Sequence, residues 1–285
     1  MMNTPHSIGP GDRSKPFSPG ATTAARLAVV AAAVFQVATP ILPSLGIGRQ
    51  VGQQSSSVQA LITPAGWTFS IWLLLYAGSL AYAVYQALPA QRGSHALSKV
   101  RWASAGAFIG NGLWALYTQL ADLTFVSILI IAGSLTCLLY IYGHLAAERV
   151  LTRGERYVAA LPLSALAAWL TAATIVNVAA TLNYYGVDPS TDKATISGAI
   201  VLIGGVIAAA AIWRGKGNPW FALVFLWALL GIYGRNGHIP AIAATCAVSA
   251  FVVVAVTVFA LRREGARRLW LGDTASHAVS VGRAG

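Results

Sequence analysis

The amino-acid sequence predicts an all-α integral membrane protein, a bundle of about eight transmembrane helices. Three observations predict it. Hydrophobic residues make up 56% of the chain and charged residues only 9%, against roughly a quarter charged in an ordinary soluble domain, so the chain cannot cover itself with polar surface. The few charges divide it into eight uncharged runs: 27–48, 50–91, 102–121, 123–147, 157–187, 194–213, 217–234 and 236–261. The basic residues are also shared unequally between alternate loops.

A helix rises about 1.5 Å per residue and a hydrocarbon core is about 30 Å thick, so about 20 apolar residues cross it. The expected spans are 24–46, 66–88, 101–121, 123–146, 157–182, 194–213, 219–234 and 240–262. The first holds Pro40 and Pro43; it exceeds a signal-peptide core and lacks a clear small-residue cleavage site, so it reads as a retained helix. Pro64 and Gly66 mark a turn into the second. Run 217–234, opened by Pro219 and closed by Gly234, is marginal in length and reads as a short or tilted span. Two longer connections stand out: 47–65, with Gln53, Gln54 and Ser55 to Ser57, and 183–193, with Asn183, Asp188, Pro189 and Asp192. Other connections are short enough to force antiparallel neighbours. Residues 1–21, rich in Pro, Gly, Ser and Thr, read as a disordered tail, 22–263 as the helical membrane domain and 264–285 as a basic tail.

The formal charge of +11 has a topological explanation. With eight spans and the N-terminus inside, the cytoplasmic segments hold Arg13, Lys15, Arg26, Arg92, Lys99, Arg101, Arg149, Arg153, Arg156, Arg214, Lys216, Arg262, Arg263, Arg267, Arg268 and Arg283. The other side keeps Arg49, Lys193 and Arg235. This split of 16 to 3 is what the positive-inside rule requires, and a seven-span count would spoil it. Attraction to anionic lipid accounts for the basicity better than nucleic acid does. Cys137 and Cys246 lie in apolar runs, where a thiol is a small buried group.

Ionisable groups inside a membrane usually mark ion paths, proton relays or cofactor attachment, and the expected spans have none at mid-depth. No Lys is placed to carry a retinal Schiff base. His6, His95, His144, His238 and His277 fall in tails, loops or at helix ends, which disfavours paired haem ligation. There is no Walker loop, HExxH or CxxC, so neither a catalytic set nor a metal site is expected. The interior carries rings and neutral amides instead: Trp67, Phe69, Trp72, Tyr76, Trp114, Tyr117, Trp169, Trp227 and Tyr233, with Gln36, Asn111, Gln119 and Asn177. Rings offer stacking faces and a few amides can fix the polar edge of a flat apolar ligand. For Trp67, Trp102, Trp213 and Trp220 an interfacial anchor is at least as good a reading. Asn111 and Asn177 should face the bundle interior, as interhelical glue or as ligand contacts with equal weight. Asn111, Trp114 and Tyr117 fall at intervals of three, as do Thr171, Thr174 and Asn177.

Residues 64–76, PAGWTFSIWLLLY, resemble the turn and second helix of the tryptophan-rich sensory protein family (TspO/MBR), which includes the translocator protein or peripheral benzodiazepine receptor. Residues 111–114, NGLW, resemble its third-helix Asn-x-x-Trp, and 162–183, PLSALAAWLTAATIVNVAATLN, its fifth helix. Trp67 and Trp72 are five apart where the family pattern has six, and Ser70-Ile71 replaces Gly-Pro-Val. The resemblance spans 24–185 and is closest to a longer bacterial branch with extra C-terminal helices. It implies a translocator-protein-like core over 22–185 with additional helices over 186–263, in a bacterial cytoplasmic membrane with both termini cytoplasmic. It also implies a porphyrin- or sterol-binding cavity whose matching residues are Trp67, Phe69, Trp72, Tyr76, Asn111, Trp114, Trp169 and Asn177; Tyr117 joins them from the third-helix stripe.

Function is therefore expected to be that of a membrane receptor or sensor for a hydrophobic planar molecule, tetrapyrrole or sterol-like. A facilitative transporter of an uncharged or amphipathic solute is the alternative, and a pigment-modifying enzyme a weaker one. No cofactor is required, although a bound tetrapyrrole fits the reading. The expected partners are the lipid bilayer and the small molecule, with a homodimer left open and no nucleic acid.

Overall fold

The structure, a computed structural model, describes residues 19–49, 60–186 and 192–272. Among them are eight long helices and no strand. Helix α1 (Pro19–Ala38) runs on as a 3₁₀ segment, Thr39–Leu45, and another, Gly66–Ser70, leads into α2 (Ile71–Ala87). Then come α3 (His95–Leu120), α4 (Phe125–Ala147), and a π-helical turn, Glu155–Ala160, opening α5 (Leu161–Tyr184). Helices α6 (Lys193–Arg214), α7 (Pro219–Asn236), α8 (Pro240–Leu261) and a short α9 (Ala266–Leu271) complete the order. The Gln53 to Ser57 stretch, Asp188, Pro189, the bulk of the N-terminal tail and residues 273–285 lie outside the described residues.

Local chemistry explains most boundaries. Pro40 and Pro43 supply no amide hydrogen, and here the α ladder tightens to 3₁₀ before Gly46, at φ 81°, ends it. Asn218 caps α7 by accepting from the amides of Trp220 (3.0 Å) and Phe221 (3.2 Å), ahead of Pro219. Asp192 caps α6 through Thr195 N (3.0 Å), and its bonds to Thr195 hold its carboxyl below the usual range.

Six segments are long and apolar enough to cross a membrane: Thr23–Leu45, Gly66–Ala87, Phe125–Ala147, Glu155–Tyr184, Lys193–Arg214 and Pro240–Leu261. Of the eight expected spans, α3 and α7 are the more polar or shorter pair. Helix α3 begins at His95 instead of 101, because Ser94 caps it through Leu97 N (3.2 Å) and the helix runs straight through Lys99 and Arg101. Helix α7 has only 18 residues and ends on Arg235 and Asn236. Both are sheltered, α3 packing on α1 and α4, and α7 on α5 and α8.

Helix α5 is the central strut. Its most apolar stretch is 72% buried, against 22% to 39% in the other five candidate spans. Pro162 through Thr171 are all buried, and Ala165, Ala167 and Ala168 leave room for neighbours on several sides. A Cβ on Gly78 of α2 would sit 2.7 Å from Pro162 Cβ, so α2 closes on α5 only with glycine there. Packing does not stop at residue 185: α2 and α4 from the first half, and α6 and α7 from the second, all lie against α5.

The segment expected as a basic tail starts as a packed element. Trp270 of α9 is fully buried and donates from Nε1 to Gly215 O (2.9 Å). Arg156 donates to the carbonyls of Leu269 (2.9 Å), Arg268 (3.2 Å) and Leu151 (3.0 Å), tying α9 to the entrance of α5. The described cations other than Arg49, Lys193 and Arg235 thus gather at one end of the bundle, here termed the basic end. Reporters fused within residues 89–100 or after 272 should appear cytoplasmic, and one within 50–59 external. An external C-terminal reporter would require an odd number of crossings.

Candidate functional site

Near the end of the bundle opposite the basic one, a cavity of about 40 Å³ is lined by Pro64, by Phe69 of the 3₁₀ segment, by Trp72 at the start of α2, and by Trp114 of α3. Leu123, then Trp169, Ala172, Ala173, Val176, Asn177 and Ala180 of α5, and Ala228 and Ile232 of α7 complete the wall. Trp72 is the hub of the rings. It stacks on Tyr76 (centroids 5.0 Å apart, 22° between planes) and on Trp114 (6.4 Å, 26°), and meets Trp169 edge-on (6.0 Å, 84°). Phe69 also meets Trp169 edge-on at 6.0 Å. These are the offset and T-shaped geometries that the ring quadrupole favours.

Five of the nine expected residues, Phe69, Trp72, Trp114, Trp169 and Asn177, line this cavity together; the other four do not. Tyr76 backs Trp72 from outside the wall. Trp67 is 48% exposed and packs edge-on against Trp227 at 5.1 Å. Asn111, buried, donates from Nδ2 to Gln36 Oε1 (3.1 Å) and joins α3 to α1. Tyr117 bonds Thr124 Oγ1 (2.7 Å) at the turn into α4. The stripe of threes disperses because six residues turn a helix through about 600°, which leaves Tyr117 about 120° away from Asn111. On α5, Thr171 and Thr174 spend their hydroxyl protons on Ala167 O (2.8 Å) and Leu170 O (2.7 Å) of their own helix.

The cavity is chemically one-sided. The indole N–H groups of Trp114 and Trp169 and the Nδ2 of Asn177 are buried without a partner. The Asn177 oxygen is satisfied by Ser127 Oγ (2.9 Å) and Thr181 Oγ1 (3.4 Å). An indole nitrogen can only donate, and a buried donor left unpaired costs on the order of 1–3 kcal/mol. Three residues of the wall therefore each carry a buried donor with no acceptor among the described residues. Gln119 is buried with both amide atoms unpaired, but it does not line the cavity.

The seventh helix is the contribution that the motif resemblance did not reach. Trp227 donates to Thr68 O (3.0 Å), Ala65 N to Gly231 O (2.9 Å) and Asn236 Nδ2 to Leu61 O (2.7 Å), so α7 carries the segment over residues 60–70 that roofs the cavity. A side chain on Gly231 would collide with Thr68. Trp227 was visible as an intramembrane ring, but Ala228 and Ile232 carry no chemical signal. A larger hollow of about 530 Å³ lies between α2, α5 and α7 on the far side of this wall. Its lining is aliphatic, and Leu74, Leu223 and Leu230 on its rim are 72%, 64% and 53% exposed. Its one indole N–H, from Trp227, is already bonded.

Asn111→Leu should lower thermal stability by about 0.6 to 1.7 kcal/mol while leaving ligand affinity of the folded protein near that of wild type. A loss of affinity at unchanged melting temperature would return Asn111 to the binding surface.

No curated protein and no solved structure matches the chain. The sequence model of the TSPO-like protein family matches residues 22–259, which takes in all but the last two residues of α8 and so reaches well beyond residue 185. The chain belongs to the TSPO-like protein family.

Proposed function

We propose that this protein is a membrane receptor or sensor that binds a hydrophobic planar molecule, of tetrapyrrole or sterol-like kind, with an acceptor-bearing edge directed at Trp114, Trp169 and Asn177. The observation that carries this reading is the trio of buried, unpaired donors in an aromatic wall. A carbonyl or carboxylate on the ligand would satisfy them, and the stacked Trp72 and Trp114 would take its flat face. The natural setting is a bacterial cytoplasmic membrane with the basic end inside. Binding without chemical conversion suits walls that offer rings and donors but no acid or base.

Small-molecule pockets usually measure about 300–1,000 Å³, so a cavity of about 40 Å³ corresponds to a closed form. A ligand of tetrapyrrole size must displace a wall. The roof over residues 60–70 is held on α7 by discrete hydrogen bonds, not by continuous helix packing, so it is the wall that yields most readily.

Quenching of tryptophan fluorescence by porphyrins, haem, sterol analogues and carotenoids in purified protein tests the reading. Trp72→Ala and Trp114→Ala should each weaken a bound porphyrin by about 1 kcal/mol or more, from the lost ring contact and buried area. Trp169→Phe keeps the ring and removes the donor, and should cost about 0.5 to 1.5 kcal/mol. Trp220→Ala, distant in α7 and packed on Tyr157, should stay near wild type. Absence of saturable quenching, or a larger effect at Trp220 than at Trp72, sinks the proposal. Liposome flux and product analysis distinguish binding from transport and from conversion.

A further inference from the structure

At the basic end, where α1 starts, α2 ends and α3 starts, two arginines share one site with no carboxylate partner among the described residues. Arg101, only 1% exposed, donates from Nε to Gln86 Oε1 (3.2 Å) and from Nη2 to Gln91 O (2.7 Å). Its Nη1 is buried and has no partner. Arg26 of α1 is half-buried, its Nε is likewise buried and unpaired, and it lies close enough to Arg101 for the like charges to repel. Gln86, fully buried, ties the two helices into a frame by donating to Arg26 O (3.0 Å). No carboxylate among the described residues pairs with either arginine. Glu155 is taken by Ser94 and Thr152, and Glu148 lies beside His95.

A buried guanidinium with an unpaired N–H, set against a second positive charge, is unfavourable unless an anion completes it. Guanidinium forks match the oxygens of a phosphate. The surroundings are those of a membrane interface: Leu27 and Trp102, each next in sequence to one of the arginines, are 64% and 60% exposed. Apolar side chains turned outward beside a cationic frame suit acyl chains continuing from a phosphate. We propose that Arg26 and Arg101 form a phosphate-binding site between α1, α2 and α3, occupied by the headgroup of an anionic glycerophospholipid. The Arg26 side chain swings to admit the phosphate, which takes the free Nη1 of Arg101 beneath it.

The test measures thermal unfolding of the full chain in neutral detergent, titrated with phosphatidylglycerol, phosphatidylcholine or inorganic phosphate. Phosphatidylglycerol should stabilise wild type saturably and well beyond phosphatidylcholine. Arg26→Gln removes no bond made by Arg26 Nε and should weaken that response about ten-fold. Arg92→Gln, at an exposed position of the same end, should respond like wild type. If inorganic phosphate reproduces the stabilisation, the site stands and its occupant is a free anion; if only the lipid acts, the occupant is the lipid. Equal responses to the two lipids in wild type overturn the site. So does a full phosphatidylglycerol response in Arg26→Gln, or an equal loss in Arg92→Gln, which would reduce the effect to diffuse surface charge.

Discussion

The arrangement depends on close approach to α5. In a bilayer there is little hydrophobic gain from putting one helix against another, so association rests on van der Waals fit and on hydrogen bonds between helices. Helix α5 meets that condition with a run of buried small residues and with pointed contacts at its ends. Pro162 fits against Gly78 of α2, and Ser164 accepts from Asn218 (2.8 Å), whose own oxygen caps α7. One side chain thereby fixes both the start of α7 and its distance from α5. The cavity follows from this: beyond Trp169, whose ring meets Phe69 and Trp72, the alanines of α5 leave space beside the rings.

Polar groups inside the bundle fall into two kinds, and whether they line the cavity separates them better than residue type does. Asn111, Gln86 and Asn218 reach across to other helices and serve as fastenings. Ser134 does the same for α4 by donating to Ala107 O (2.7 Å) of α3. Trp114, Trp169 and Asn177 keep a donor unspent next to empty space. Asn111 and Asn177 looked alike in sequence, each a lone amide in an apolar run. Each is bonded to another helix, Asn111 to Gln36 and Asn177 to Ser127, and they differ in that Asn177 lines the cavity and Asn111 does not.

The helices were legible because uncharged runs and bilayer thickness constrain the same quantity, and the start of α7 was legible from Pro219. The start of α3 was not, since charge was taken to mark a loop while Lys99 and Arg101 continue a capped helix and Arg101 is buried within it. The aromatic wall of Phe69, Trp72, Trp114 and Trp169 was readable because tryptophan is scarce and its positions follow a family pattern. Which of the other expected rings stay out of it was not. Trp67, which also had an interfacial reading, packs on Trp227 of α7 from the 3₁₀ segment Gly66–Ser70, while Trp72, a turn further on, lines the cavity. The α7 wall uses alanine and isoleucine, which differ in no way from packing residues elsewhere in the span.

Counting positive charges located the basic end, but treated its arginines as one population. The fold divides them by what each can still bind. Arg156 spends its guanidinium on three backbone carbonyls and turns a would-be tail into a docked helix. Arg263 lies over the Trp213 ring at 3.4 Å, a cation–π contact at the membrane end of α6. Neither needs an external anion. Arg101 is as deeply buried as any of them, yet its carbonyl and amide partners leave Nη1 over, and a second arginine, Arg26, repels it. The same charge that sets topology in the sequence thus leaves, among the described residues between α1 and α3, a buried guanidinium with a donor to spare.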